Sequence, residues 1–419
     1  MLVHGEIWTV KELFVLPNEY IYWSIQIVMY PFMTGLVAGA FVLSSLYHVF
    51  GVQQLKDMAR FALVFSFALL PAAPLPIMLH LQFPFRGPEL FMTPHFTSAI
   101  AAFGIVFLTY GAIVASELWF LYRKHFVEQT LALRSKQDKT LLETLRYYIN
   151  WALTLGAYDV SEEALHRDEK AIKVLAGIGI PVACFLHGYA GFIFGSVKAN
   201  ALWMTPLMPV IFIMSAIVSG IALCMLTYIV VMEIRKFLAS RRKRSNYTAY
   251  QSTEELKSVE VHVVKITSKY LLLFLVLAIT LELLDLIFRG YTATKSWDVL
   301  RSVIYERDFA DIFVMQYGIG NLVPFILLLL PGLTVRRTVV AVILMMFGVF
   351  MMRWNVVIGG QAFSLTFAGY MHYHLPIIPH DWETVKEGLV GAVGVFATPF
   401  ILFYFITKIF PVFDPKTAH

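Results

Sequence analysis

The chain has 419 residues; 58% are hydrophobic, only 15% are charged, and the mean hydropathy is +0.70. A soluble domain carries about 25% charged residues, so this composition excludes a water-facing globular core and fits helices dissolved in lipid. The net charge of +5 comes from basic residues gathered in loops between apolar segments, which reads as a topology signal and not as a nucleic-acid surface.

A membrane-crossing helix needs about 20 mostly apolar residues. Nine segments meet this: 22–49, 60–81, 96–122, 171–196, 204–233, 266–288, 309–331, 336–358 and 387–410. Residues 1–18 are mixed and amphiphilic, so no cleavable signal peptide is expected and the first span serves as its own insertion signal. The first segment carries Gly35-Leu-Val-Ala-Gly39, a small-xxx-small spacing that lets a neighbouring backbone approach. The second carries Pro71, Pro74 and Pro76, which must break its hydrogen-bond ladder and bend it. Such breaks are tolerated where protein or a cavity takes up the freed carbonyls, so the outer end of this helix is a candidate wall of a site.

Residues 141–157 are short and contain Glu143, Arg146 and Asn150, with the apolar residues on one face. They read as an amphipathic helix on the membrane surface; counting them as a span would give ten. Loop charges decide for nine. With the N-terminus outside, Lys56, Arg60, Arg123, Lys124, Arg134, Lys136, Lys139, Arg241-Arg242-Lys243-Arg244 and Arg336-Arg337 all fall inside. The outer loops near 82–95 and 197–203 carry only Arg86 and Lys198. The outer loop 289–308 departs from the rule with Arg289, Lys295, Arg301 and Arg307, partly balanced by Asp298, Glu306 and Asp308.

The expected fold is thus an all-α integral membrane protein of one domain. Residues 20–233 form a first four-helix bundle, 204–233 join 265–358 in a second, and 387–410 are appended. It is expected in the cell (cytoplasmic or inner) membrane, with the C-terminus inside. Cys184 and Cys224 are the only cysteines, so no cluster needing four thiolates is possible, and no disulfide is expected.

Ionisable and polar groups at membrane depth are functional candidates. Gln26 and Tyr30 in the first helix, His80 and Gln82 ending the second, His95 opening the third, and His187 with Tyr189 in the fourth all lie towards the outer side. This set suits a quinone, whose carbonyls need donors, whose reduction takes up protons that histidine handles near neutrality, and whose ring needs apolar walls. Taken singly, each histidine fits an interfacial side chain bonded to a carbonyl better than a ligand; the convergence of His80, His95, His187 and Tyr30 from four helices favours the site. In the second group, Glu282, Asp285, Asp311, Arg353 and Asn355 lie near the outer ends. Arg353 beside a carboxylate would form a buried pair, structural or part of a proton pathway. Glu117 and Glu233 close helices three and five on the inner side, as interfacial carboxylates or a proton entry. His372, His374 and His380 could in principle bind metal, though no cysteine supports it. Haem is not favoured, since His187 is the only histidine well inside a span.

Tyr30-Pro-Phe-Met-Thr-Gly-Leu-Val-Ala-Gly-Ala and Arg353-Trp-Asn-Val-Val-Ile-Gly-Gly-Gln361 resemble segments of the NrfD/PsrC family, the membrane subunits of polysulfide reductase and its kin. Pro94-His-Phe-Thr-Ser98 and the run from His187 through Trp203 to Ser219-Gly220 resemble its longer-chain branch, DsrP above all. The resemblance implies a subunit without a redox centre of its own, exchanging electrons between menaquinone or another quinone and an iron–sulfur partner on the outer face. Other membrane and cytochrome subunits and a link to sulfite or sulfate reduction are implied with it. The family's helix-one His and Asn positions fall on Tyr30 and on Ile27, beside Gln26, and its helix-four Tyr matches Tyr189. A secondary transporter and a structural anchor without quinone are the alternatives; polar groups near one face and not at the midplane weigh against transport.

Overall fold

The computed structural model describes residues 20–95, 97–197, 200, 202–242, 248–292, 297–362 and 370–412. The first 18 residues, Phe96, and the loop charges Lys198, Lys243, Arg244 and Lys295 lie outside the described residues. Among those described, nine helices are long and apolar enough to cross a membrane: Ile25–His48, Gln53–His80, Ala101–Arg134, Glu162–Gly195, Met208–Leu238, Val261–Tyr291, Ala310–Leu329, Val335–Gln361 and Leu389–Ile406. They are numbered below as spans one to nine. Strand pairing among the described residues is confined to one bridge, Tyr20 to His372. The protein is an all-α, multi-pass integral membrane protein.

Several spans run further than their apolar segments. Span three continues to Arg134, and span four already starts at Glu162. Nothing in those polar turns breaks the ladder, and Ser161 caps span four by accepting from the Ala164 amide, with Glu162 and Glu163 in the first turn. Hydropathy sees only the part of a helix that lies in lipid. One consequence is that Glu117 and Glu233 do not close their helices but lie inside them. Between spans three and four, Arg123 makes a buried ion pair with Asp168 at 2.7 Å, so a basic residue expected as a topology signal also holds two helices together.

Residues 141–153 form a separate helix of about 20 Å, too short to cross about 30 Å of hydrocarbon. Thr140 and Glu143 build a capping box at its start. The Glu143 carboxyl is held down to about 2 by its bonds to Lys136 and Thr140. Trp119 of span three donates to the Leu153 carbonyl at 2.7 Å and pins the other end. Leu141, Leu145, Tyr148 and Trp151 face outward.

Span two is bent where its prolines require it: Lys56–Leu69 is α-helical, Leu70–Ala72 tightens to a 3₁₀ turn, and Leu75–His80 resumes. Span seven is wound as a π-helix over Ala310–Leu322 before turning α-helical at Val323–Leu329. Pro324 has no N–H to give to the carbonyl one α-turn earlier, which removes one bond that would hold the tighter winding.

Spans one to four pack together, as do spans five to eight, and span nine lies against spans one and two. Span one is the axis: 89% of its apolar window is buried, against 22% for spans six and nine. It packs most heavily on span five. A side chain on Gly39 would strike the Ala216 carbonyl and come within 2.8 Å of the Gly220 backbone. The glycines expected to admit a neighbour thus admit span five, through its own Ala216-xxx-Gly220 spacing. Spans seven and eight repeat this close approach at Gly320 and Gly348.

Candidate functional site

The end of the bundle where span one begins is the outer end of the charge assignment. Ser24 caps span one by accepting from the Gln26 amide at 3.3 Å, and its hydroxyl meets His80 Nδ1 at 3.1 Å. That bond ties the start of span one to the end of bent span two. Gln26 is fully buried. Its Nε2 donates to the Lys386 carbonyl at 2.6 Å, while its Oε1 has no hydrogen-bond partner. One turn deeper on nearly the same face, half-buried Tyr30 meets Phe103 of span three edge-on at 5.8 Å. Phe103 in turn lies 6.4 Å from the Tyr189 ring of span four. Gln26, Tyr30, His80 and Tyr189 therefore share one end of the first bundle. His95 does not join them: it is exposed and bonds to its loop neighbour Thr97 at 2.8 Å.

His187 is engaged elsewhere. It is fully buried in the seam between the two bundles. Arg353 of span eight reaches Nε2 at 3.0 Å, and Thr34 of span one lies 3.4 Å from Nδ1. A guanidinium only donates, so Nε2 accepts and the ring proton sits on Nδ1, facing Thr34. Thr34 donates onward to the Tyr30 carbonyl at 3.0 Å. Both ring nitrogens are thus taken up inside the protein. Gly35 makes room for the ring, since a Cβ there would lie 3.1 Å from His187 Cε1.

The sequence pattern suggests a carboxylate beside Arg353, but its direct partners are neutral. It donates to Ser215 Oγ at 2.7 Å and the Phe212 carbonyl at 3.3 Å, and stacks over the Phe212 ring at 3.7 Å. The His187 ring lies 5.7 Å from the same phenyl. One arginine therefore bonds to spans four and five from span eight. Asp285 takes a different cation, Arg289 one turn along its own helix at 2.8 Å, and accepts from Thr205 at 2.5 Å. The sequence offers an i,i+4 pair here, but Arg289 reads as a loop charge by position.

Glu282 accepts from Gln316 Nε2 at 2.9 Å, and Asn355 Nδ2 donates to Gln316 Oε1 at 2.8 Å. Asn355 Oδ1 is buried and unpartnered. Glu282, Asp285, Arg289, Gln316, Tyr317 and Asn355 line a cavity of about 110 Å³. Its lining is mostly apolar, with these polar groups set among Leu202, Met208, Ile211 and Val356, and its volume exceeds the roughly 30 Å³ of one water. Gln316 and Tyr317 carry no sequence signal, because the π-helical winding decides which way they face.

Glu117 is fully buried in span three, and neither carboxyl oxygen has a partner. Glu233 pairs with Lys236 at 3.0 Å on the surface. The Gly359-Gly360-Gln361 turn ends span eight against Asp308 and the Trp203 indole, which occupy the space a side chain would need. Asn200 and Trp203 bond to the Gly360 and Val356 carbonyls at 2.5 Å each. Among the described residues no group of three or more His, Cys, Asp or Glu could hold a metal ion; His374 instead packs its ring 5.6 Å from Tyr20.

The sequence profile of the family described as "Polysulphide reductase, NrfD" matches residues 16–365. A subunit of selenate reductase from Mesobacillus selenatarsenatis is 34% identical over 217 residues, 50% of this chain and 49% of that one. The match thus spans about half the length of that relative. A putative dimethyl sulfoxide reductase membrane subunit from Halobacterium salinarum is 27% identical over 85% of this chain and 71% of its own. An Hdr-like menaquinol oxidoreductase integral membrane subunit from Archaeoglobus fulgidus is 26% identical over 48% and 40%. The family match covers both bundles, from the cap of span one to the glycine turn after span eight, and on it the chain belongs to the NrfD family of membrane subunits.

Proposed function

We propose that this chain is the quinone-reactive membrane subunit of a respiratory reductase complex, exchanging electrons and protons between a membrane quinone and an iron–sulfur partner on the outer face. The observation that carries the reading is Gln26 Oε1, a fully buried acceptor without a donor, one turn above Tyr30. A quinol hydroxyl supplies the missing donor, the Tyr30 hydroxyl can serve the second oxygen, and Phe103 and Tyr189 offer aromatic walls. Such a ligand brings the redox chemistry; the chain orients it and handles its protons.

Menaquinone is the assigned type, supported by the printed name of the archaeal relative. The electron acceptor is assigned as a reductase in complex with this chain. Sulfite- or sulfate-linked transfer rests on the sequence resemblance, while the selenate and dimethyl sulfoxide relatives widen the class. Docking of an iron–sulfur partner is supported by apolar residues exposed at the outer end: Phe83, Phe85 and Met92 between spans two and three, Ile377, Ile378 and Trp382 before span nine. Further cytochrome or membrane subunits complete the complex, which lies in the cell membrane with the N-terminus of this chain outside.

Glu117, Glu282 and Arg353 are proposed as proton-pathway residues, with Asp285 and Arg289 as the fixed ion pair of that cavity. His187 acts as the link between Arg353 and span one and not as a direct ligand.

The test is quinone binding to the purified complex. Gln26→Leu and Tyr30→Phe each remove one bond to the ligand and are expected to weaken binding about tenfold, the equivalent of ~1.4 kcal/mol. Wild-type affinity and quinol turnover in both variants would refute the assignment.

A further inference from the structure

The helix leading into span nine brings a carboxylate to the quinone end from a part of the chain far from spans one to four. The short helix Trp382–Glu387 ends on Glu387, and Gly388 turns the chain into span nine. No side chain fits at Gly388, where the Pro376 and Thr384 carbonyls occupy the space of a Cβ. The turn therefore fixes the backbone beside Glu387. Its Oε1 lies 3.6 Å from His80 Nδ1, the same nitrogen that meets Ser24 at 3.1 Å. The backbone of the preceding residue, Lys386, accepts the bond from Gln26. One turn of chain thus touches the buried amide on one side and the histidine on the other. His80 and Glu387 are each partly open to solvent, at 22% and 29% side-chain exposure, whereas Gln26 is closed off.

We propose that the His80–Glu387 pair is the proton outlet of the quinone site, passing protons between the quinol oxygens held near Gln26 and water at the outer surface. The inference rests on the reading of that end of the bundle as a quinone site. Oxidation of one quinol breaks two O–H bonds: two electrons pass to the iron–sulfur partner, and two protons pass in succession to the imidazole or the carboxylate and then to water. Reduction runs the same steps backwards. At 3.6 Å the imidazole and the carboxylate stand just beyond hydrogen-bond distance, so a small side-chain movement or one intervening water lets a proton pass between them.

The surroundings suit the role. Burial pushes the Glu387 carboxyl up, Lys386 opposes this, and Glu383 adds to it. Lys386 is held by Glu383 at 2.7 Å. The other facing groups are Tyr373 from the outer loop, Ser24 and Gln26 from span one, and His80 from span two. Among these, His80 is the one whose ring nitrogen faces the Glu387 carboxyl, at 3.6 Å.

The experiment uses the whole purified complex carrying Glu387→Gln, with Glu387→Asp as the conservative control. Two quantities are read: bound quinone per complex, and quinol oxidation between pH 5.5 and 8.5. Expected in Glu387→Gln are wild-type quinone content, turnover lowered by at least about tenfold, and a displaced acid limb of the pH profile, with Glu387→Asp restoring most of both. Full quinone content with unchanged turnover and pH profile in Glu387→Gln would overturn the outlet. Loss of bound quinone in that variant would also overturn it, by making Glu387 a binding or structural group. A wild-type complex without quinone would instead remove the underlying site.

Discussion

Arg353→Met keeps the length of the side chain that joins the two bundles and removes every donor. It forfeits charged hydrogen bonds to His187 and Ser215, each about 1.5–3 kcal/mol. It also loses the stacking on Phe212, about 2 kcal/mol when desolvated. Against this, removing a cation from membrane depth returns about 2.5–3.5 kcal/mol. The net loss is roughly 1.5–5.5 kcal/mol, part of it from the stranded His187 Nε2. His187→Phe keeps a ring beside Phe212 and deprives Arg353 of one acceptor, a loss of about 1.5–3 kcal/mol. If the two side chains act on each other, the double variant loses less than the two single losses together, by about 1.5–3 kcal/mol. The assay is unfolding of the purified protein in mixed micelles by increasing SDS, followed by circular dichroism. Additivity within about 0.5 kcal/mol would refute the coupling and leave Arg353 as an independent bolt to span five.

Three other outcomes follow from the geometry. Gly39→Leu forces a side chain into the Ala216 carbonyl and should prevent the two bundles from closing, whereas Gly51→Leu, where nothing lies within 4 Å but φ is +69°, should cost only about 1 kcal/mol of backbone strain; comparable folded yields after detergent extraction would contradict the crossing. Gly360→Ala must displace the Trp203 indole and should lower thermal stability by about 1–3 kcal/mol, read as an earlier melting midpoint, with an unchanged midpoint as the contrary result. Burial pushes the Asp308 carboxyl up to about 6 despite the Arg307 guanidinium at 2.8 Å. The fold therefore favours the neutral acid over its unfolded counterpart, whose value is near 3.8. This contribution is complete below about pH 4 and disappears as the pH rises through 6. The gap between the melting midpoints of wild type and Asp308→Asn should widen between about pH 4 and 6 and stay constant above that; parallel curves would show that Asp308 does not titrate in that window.

What the amino-acid sequence determined by itself was the solvent and the helices. Apolar runs of the right length and charge-bearing loops suffice for nine spans, because a lipid-exposed backbone has no choice but to bond to itself. The three prolines announced the break in span two, and the two glycines announced a close approach, since both are local backbone properties. The separate short helix at Leu141–Leu153 was legible from its length and its one apolar face. The partners of these features were another matter. That Gly39 meets span five while Gly35 shelters His187, that Arg353 bonds to a histidine and not to a carboxylate, and that Gln316 turns towards Glu282 all depend on how helices rotate against each other. Depth along a helix can be counted from the sequence, but azimuth within a bundle cannot, because in a nearly uniform apolar face little distinguishes the side towards protein from the side towards lipid. His95 missed the site for another reason: it lies in the exposed loop before the helix that starts at Ala99. The limit on azimuth also hid Glu387, which reaches the site from a helix hundreds of residues away in the chain.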